Sequence, residues 1–465
     1  MNKLFIVLAV AFLVSCGKEV IPPPPTPGPG PAPVPLKKIS ITDTAGLLLR
    51  GTSLQLQAYF PTGTDSSAGL SWTSTDTSVA SVNTLGTVTG KKKGQSFIIA
   101  KDQRNVAVSD STPVYVLGDK VIHMVGTASN MRWRNAAYYW KNEVATQLPG
   151  VLMEVGPQAS SVQVYQGSVY IAGTTLSPNH WFIPTYWKDG VPALVADAGV
   201  SYNSWVNDML VDDAGIHLVG HDYRDYGCNP DCYSGTKGHY WNIKGSQVTE
   251  TPLHGSNDSI STSVTSLARN GSDLIFGGQT IPYHYWGLAT TWKNNYQNID
   301  SFTHLSWAAI SDIVVTGNGI VSGGSDGCPW TNCTHYATVW DKRNGTTIRL
   351  SDRGSVVNAL ALDGNKIIAA GFEYNSAGIR QAACWVIENG QVTSLNLGNV
   401  ATPSGANGLF VKDGEYFIVG YTAHEATGNN IGTLWRAYQS LSIMLPQYST
   451  SPWNGPSALS GVFVE

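Results

Sequence analysis

Residues 357–398 read VNALALDGNKIIAAGFEYNSAGIRQAACWVIENGQVTSLNLG, four short apolar stretches separated by turn chemistry. VNALAL runs into AspGlyAsnLys, IIAAG ends on glycine, ACWVI carries a tryptophan, and GluAsnGlyGln leads into VTSLNL. Short runs of this kind, punctuated by Asp-Gly and Asn-Gly, read as antiparallel strands joined by tight hairpins. Working outward, the same order recurs along the chain. The tryptophan returns as Trp140, Trp187, Trp241, Trp292, Trp340, Trp385 and Trp435, at spacings of 47, 54, 51, 48, 45 and 50 residues. Each follows an apolar stretch ending in glycine, such as VIHMVG at 121–126, IHLVG at 216–220 and YFIVG at 416–420. Ahead of that lies one more strand, seen in VNDMLV from 206, ISDIVV from 310 and NGLFVK from 407. About four short strands repeated at this period are the pattern of propeller blades. The first copy, near Lys120, has no first strand upstream, whereas LSGVFVE at 459–465 matches ANGLFVK at 406–412. The C-terminal strand is therefore expected to complete blade one, giving seven blades and no open edge.

Composition agrees with an all-β chain and excludes other classes. Of 465 residues only 13% are charged, against about 25% in ordinary soluble proteins, while Gly numbers 49, Trp 15 and Tyr 21. That load favours strands and tight turns over long helices. Lys and Arg total 28 against 32 acids, with a pI near 6.2, so no basic field is available for a phosphate backbone and no nucleic-acid partner is expected.

The N-terminus carries an address. MNKLFIVLAVAFLVSC at 1–16 has a positive Lys3 and an apolar run from Leu4 to Val14, long enough for a signal peptide and too short to span a bilayer. LeuValSerCys at 13–16 resembles the bacterial lipobox, which implies cleavage before Cys16, lipidation of that residue and a lipoprotein signal peptide at 1–15. Gly17 is not the Asp of an inner-membrane retention signal, so the expectation is an outer-membrane anchor facing the exterior. PPPPTPGPGPAPVP at 22–35 holds nine prolines in fourteen positions. Such a segment adopts polyproline II, rising about 3.1 Å per residue, so residues 16–38 read as a stalk.

Between Ile39 and Leu117 alternation marks half-buried strands, with Leu54, Leu56, Ala58 and Phe60 on one side and Ser53, Gln55, Gln57 and Tyr59 on the other. LSWTSTDTSVASVNTLGTVTGKKKGQSFIIA at 70–100 resembles the bacterial immunoglobulin-like group 2 domain in its Trp72 strand, the SerValAla step at 78–80, the Gly86 turn before Val88, and Gly94 ahead of Phe97 to Ala100. The resemblance implies a small cell-surface β-sandwich over 39–117, here a spacer. In the remaining 118–465, ACWVIENGQVTSLNLG at 383–398 resembles the HAF family of extracellular repeats. The expected fold class is thus all-β, a small immunoglobulin-like β-sandwich followed by a seven-bladed β-propeller closed by the C-terminal strand.

Propeller topology places the loops between second and third strands on one face with the interblade loops. These are long and aromatic: NMRWRN from 130, LSPNHWFIPT from 176, HDYRDYGCNPDCYSGTKGH from 221, IPYHYWG from 281 and SDGCPWTNCTHY from 325. The opposite turns are short and built of Gly, Asn, Asp and Lys. Seven tryptophans outside the repeat position and the sandwich, Trp133, Trp181, Trp205, Trp286, Trp307, Trp330 and Trp453, all fall on the loop face or at the start of inner strands. Aromatic platforms beside polar groups suit sugar rings, and protein ligands use them too. The candidate ligand-binding residues are Trp133, Trp181, Phe182, Tyr223, Tyr226, Tyr283, His284, Trp286, Trp330 and His335. Any single ring has an equal claim to a packing role; the bias to one face is what carries the reading.

Cys228 and Cys232, and Cys328 and Cys333, each flank a short stretch inside one long loop, where a secreted context favours two local disulfides. Cys384 is expected as a buried thiol. Asp208 and Asp312 share a position on inner strands, where they either hold a cation or bond the backbone between blades; the second is the reading adopted, and no metal or cofactor is assigned. His123 and His217 occupy matching second-strand positions that suggest packing. No HExxH, GxSxG, phosphate loop or EF-hand pattern occurs, and no catalytic residue is assigned. The functional expectation is a surface-exposed lipoprotein displaying a non-catalytic binding propeller for extracellular glycan or adhesion, with the membrane and a glycan or surface protein as partners. The alternatives are a polysaccharide lyase or glycosidase using the same face, with Asp222, Asp225 and Asp326 as available carboxylates, or a structural component of the cell surface.

Overall fold

A computed structural model describes residues 39–465 except 42–44, 60–68, 130–134, 143, 152–155, 196–202, 225–234, 254–260, 282–286, 295–296, 302–306, 328–333, 398–400, 439–440 and 445–455. All regular structure among the described residues is strand.

The N-terminal part packs one sheet of Gly46–Leu49, Ser109–Leu117, Gly94–Asp102 and Leu70–Ser74, in that order, against a second of Ser53–Gln55, Thr87–Gly90 and Ala80–Val82. Leu48, Leu56, Val88, Ile98 and Val114 fill the space between them, and Trp72 packs against this cluster and against the neighbouring one of Ile39, Ala58 and Ala100. Gly86, at φ +83°, lies where a Cβ would come within 2.9 Å of the Trp72 ring, so the turn glycine and the strand tryptophan are one packing device. The alternation over 53–59 holds in burial, with Leu56 and Ala58 inside and Ser53, Gln55, Gln57 and Tyr59 exposed, although the strand is interrupted at Leu56 and Gln57; Phe60 lies outside the described residues.

Seven four-stranded antiparallel sheets follow. Their innermost strands are Ser457–Val464, Gln158–Tyr165, Asn203–Asp212, Ser261–Asn270, Trp307–Thr316, Ser355–Asp363 and Ser404–Lys412, for blades one to seven. Each inner strand touches the next around an unbroken ring. The C-terminal strand closes it: Ser457–Val464 pairs antiparallel with Ile122–Ser129, Val464 opposite Ile122 and Ala458 opposite Thr127. The hairpins on one face use left-handed Asn-Gly and Asp-Gly pairs, as at Asn389 (φ 52°) with Gly390 (φ 77°) and Asp413 (φ 52°) with Gly414 (φ 75°). Both central residues at positive φ are what a two-residue turn needs to match strand twist.

The repeated tryptophan is the knob between blades. Trp187 packs on Val125, Ala137 and Leu148 of blade one, Trp241 on Ala172 and Val195 of blade two, and Trp385 on Val321 and Val339 of blade five. Trp140 closes the circle against Phe417 and Val419 of blade seven. All seven are at most 3% exposed.

The repeated glycine answers to a bulge. Every inner strand has a register shift near its start, at Ser160, Asn207, Thr265, Ser311, Asn358, Asn407 and Ser460. The bulge swings a backbone carbonyl toward the second strand. A Cβ on Gly173, Gly220, Gly278, Gly324, Gly371 or Gly420 would lie 1.8–2.0 Å from that oxygen, and on Gly126 2.2 Å.

The β-sandwich sits against the hairpin face of blade seven. The Tyr115 and Tyr438 rings are 5.4 Å apart, and Arg436 Nη2 donates to the Gly118 carbonyl at 3.0 Å. Lys93 Nζ stands 3.8 Å from Glu415 Oε1, and Glu415 also bonds Arg436 within blade seven. The loop face is thereby the one turned away from the sandwich.

Changing Gly371 to Ala should cost about 1–3 kcal/mol or more, the range for forced overpacking, whereas Gly317, which has open space around it, should tolerate Ala within roughly 0.5 kcal/mol. Urea unfolding of both variants checks this; equal midpoints would refute the close-approach explanation. Deleting residues 457–465 should abolish cooperative unfolding of the propeller, as followed by near-ultraviolet circular dichroism.

Candidate functional site

Polar and aromatic side chains gather in three regions: the central channel, the hairpin face and the loop face. The channel is a polar cavity of about 230 Å³ lined by the bulge residues, among them Ser160, Asn207, Thr265, Asn358 and Asn407, together with Asp208 and Asp312. Five of the seven bulge side chains reach forward to the next blade, whereas Ser160 Oγ donates to Ala172 O of its own blade at 3.2 Å. Asn207 Nδ2 donates to Val264 O at 2.5 Å, Thr265 Oγ1 to Ile310 O at 2.7 Å, Asn358 Nδ2 to Ala406 O at 2.7 Å, Asn407 Nδ2 to Leu459 O at 2.9 Å, and Ser460 Oγ to Ala159 O at 2.6 Å. The acceptor in each of these five is the residue just before the next bulge.

Asp208 and Asp312 each tie three blades. Asp208 Oδ1 accepts from Met209 N (2.7 Å) and Ser161 Oγ (3.1 Å), and Oδ2 from Leu267 N (3.1 Å). Asp312 Oδ1 accepts from Ile313 N and Ser266 Oγ, both at 2.7 Å, and Oδ2 from Leu360 N at 2.7 Å. These are backbone-bonding roles between blades. Burial raises both carboxyls, Asp208 to about 7 with the Asp312 charge adding to the shift, and Asp312 to about 6. Among the described residues, no three His, Cys, Asp or Glu are grouped so as to hold a metal ion.

A cavity of about 540 Å³ lies on the hairpin face between blades five and six, lined by Asn318, Asp341, Arg343, Asn365 and Asn389 among others. Its one guanidinium is already held by Asp341, at 2.8 and 2.9 Å. That engagement leaves it little to offer a ligand, and the size of this cavity is outweighed by the chemistry of the opposite face.

On the loop face, blades two and three join through an aromatic row. Trp205 lies 5.7 Å from Phe182 and 5.3 Å from His221. The Phe182 amide donates to Asn203 Oδ1 and the Trp181 amide to Ser177 Oγ. His221 Nδ1 stands 3.1 Å from Asn207 Nδ2, which links the row to the channel, and burial lowers its pKa. Behind it His239 lies between two carboxylates, Nε2 3.2 Å from Asp222 Oδ2 and Nδ1 2.7 Å from Glu250 Oε1, at ion-pair rather than aligned hydrogen-bond geometry. Burial works against the His239 charge, but Asp222 and Glu250 outweigh it and the net shift is upward. His123 and His217 are buried packing groups that meet the hydroxyls of Tyr139 and Tyr240 at 2.7 and 2.6 Å. Cys384 is a buried free thiol, its pKa pushed up to about 12 by desolvation.

Of the expected ligand-binding residues, Trp181 and Phe182 are half-buried at the blade-two loop, and Tyr223 and His335 are exposed at the end of a second strand and the start of a third. Phe182 is brought together with Trp205 and His221. Cys16, Trp133, Tyr226, Cys228, Cys232, Tyr283, His284, Trp286, Cys328, Trp330 and Cys333 lie outside the described residues. Absent from the sequence expectation were the aromatic partners of Arg380: its guanidinium stacks on Phe372 at 3.6 Å and lies 5.6 Å from Tyr421. These residues sit in three separate strands of blades six and seven, with no shared motif to unite them.

Residues 35–111 match the model of the bacterial Ig-like domain (group 2). No curated protein matches the chain. Among solved structures it is similar to the acylaminoacyl peptidase of Pyrococcus horikoshii, at 12% identity and TM-score 0.40, over 71% of this chain and 52% of that one. It is also similar to the β-propeller domain of the Trilobed protease from Pyrococcus furiosus, at 9% identity and TM-score 0.40, over 78% and 97% of the two chains. A puromycin-hydrolyzing peptidase of Mycobacterium tuberculosis follows at 10% identity and TM-score 0.32, covering 73% and 56%. The chain spans about half the length of the two full peptidases, and nothing of their activity transfers to it.

Because folding raises Asp208 and Asp312 above the ordinary carboxylate value, their contribution to stability is full below about pH 4 and is lost as pH rises through 6 and 7. His123, His217 and His221, lowered on folding, act oppositely, losing their contribution as pH falls below about 6.5. The native chain should therefore lose, relative to Asp208→Asn, on the order of 2 kcal/mol between pH 5 and pH 8. Denaturant midpoints of the pair at both pH values test it, and a pH-independent difference would refute the buried-carboxyl assignment.

Proposed function

We propose that this chain is a surface lipoprotein, anchored through Cys16, whose propeller binds extracellular glycan by its loop face without catalysis. The observation carrying the reading is how exposed apolar side chains divide between the two faces. Among the described residues of the propeller, the large exposed apolar rings are Tyr223 (42%), Trp307 (37%) and Tyr374 (44%), all at loop-face ends of strands in blades three, five and six. The hairpin face exposes instead Val144, Val191 and Val248, the residues that open or nearly open the outer strands. Flat rings in water, beside the polar groups of the same loops, suit the CH faces and hydroxyls of a saccharide.

One further feature supports it. The sandwich occupies the hairpin side of blade seven and leaves the loop face open to the surroundings. As part of the same proposal, disulfides Cys228–Cys232 and Cys328–Cys333 would pin the two cysteine-bearing loops, and the resemblance of 383–398 to HAF repeats would fit an extracellular chain.

Screening the purified protein against immobilised polysaccharides tests the reading, alongside a variant with Trp181, Tyr223 and Trp307 changed to Ala. Retention by at least one glycan should fall by roughly tenfold or more in a variant that keeps its melting temperature, since each stacked ring contributes about 0.5–1.5 kcal/mol beyond its buried area. Unchanged retention, or none by the native chain, would overturn it.

A further inference from the structure

Arg380 opens the third strand of blade six, on the loop face, directly opposite Tyr374. Its guanidinium lies 3.6 Å from the centroid of Phe372 and 5.6 Å from that of Tyr421 in blade seven, so aromatic rings cover its faces. Gly405 makes the room: a Cβ there would stand 3.2 Å from Arg380 Nη2 and 3.0 Å from the Tyr421 ring. The guanidinium makes no hydrogen bond and no ion pair with any described residue, and its Nε is buried without a partner. Arg269, Arg343 and Arg436, which are half-buried or buried, are each bound to a carboxylate: Asp212, Asp341 and Glu415. Arg380 is the part-buried guanidinium that no described carboxylate answers, and its terminal nitrogens are not enclosed.

We infer that Arg380 is the anion-binding centre of the loop face and takes the carboxylate of an acidic sugar. With rings over the group and Nε buried, it offers the N–H edge of its two terminal nitrogens, and that planar fork matches a carboxylate bidentately. The aromatic row continues outward: Phe372 meets Tyr374 edge-on at 5.8 Å, and Tyr374 is the exposed ring of this corner. A ligand with an acid group on a saturated ring, a uronate unit, places its carboxylate on Arg380 while its CH face lies along Tyr374. The inference rests on the glycan reading above and narrows it to acidic polysaccharide.

Affinity electrophoresis and calorimetry of the full chain with polygalacturonate and with its methyl ester test this, because the two polymers share a backbone and differ in charge. The native chain should bind the acid form roughly tenfold or more tightly than the ester, the weight of a charge-assisted pair. Arg380→Gln should erase that preference with the melting temperature kept. If that variant fails to fold, Arg380→Lys, which keeps the charge but not the planar fork, should fold and lose most of the preference. Equal binding of acid and ester by the native chain, or a preference that survives in a folded Arg380→Gln protein, overturns the inference. Binding of neutral glycans that depends on Tyr223 and Trp307 but not on Arg380 would leave the glycan reading intact and this one refuted, and no binding of any polymer would end both.

Discussion

The propeller depends on one repeated backbone event, the bulge near the start of each inner strand. One extra residue turns a carbonyl against the second strand, and only a glycine there can accommodate it at 1.8–2.2 Å from a would-be Cβ. The same residue aims a short polar side chain at the next blade, and five blade junctions carry the resulting bond to a carbonyl. A bulge is usually a local kink. Here it is the point at which intrablade and interblade geometry are set together, and the tryptophan knobs fill the apolar space further out.

This arrangement leaves the channel polar, with both of its carboxylates engaged. Asp208 and Asp312 give every carboxylate oxygen to a backbone N–H, and each ties its own blade to both neighbours. Their raised pKa values follow from that position, since desolvation opposes charge even where three donors favour it. The hairpin face is committed in a different way, part of it to the sandwich through Arg436, Glu415 and Tyr438. Among the described residues, the exposed apolar rings of the propeller and the guanidinium of Arg380, which no carboxylate answers, lie on the loop face.

The aromatic content of that face thus has two grades. Phe182, Trp205 and His221 pack on one another and stiffen the junction of blades two and three, the role that any one ring could claim from sequence. Tyr223, Trp307 and Tyr374 stand in solvent. The difference lies in how far the surrounding strands cover each ring, which is set by blade-to-blade geometry and not by residue type.

The sequence by itself determined the all-β class, the blade count, the closing strand and the packing of His123, His217 and the seven tryptophans, because each is written in a period or a match between segments. Blade identity is local: a Gly-ended strand, a Trp strand and an Asn-Gly turn recur whatever surrounds them. The immunoglobulin-like sandwich was legible for the same reason, in Trp72, Gly86 and Gly94. The bulge was not, since Ser, Asn and Thr at that position look like ordinary strand polarity until the register is known. Nor was the Arg380 corner, whose guanidinium and covering rings, Phe372 and Tyr421, come from three strands on two blades. Only the tertiary structure decided it, because pairing a charge with rings, or leaving it without a carboxylate, depends on which side chains the ring of blades brings within contact and which it keeps apart.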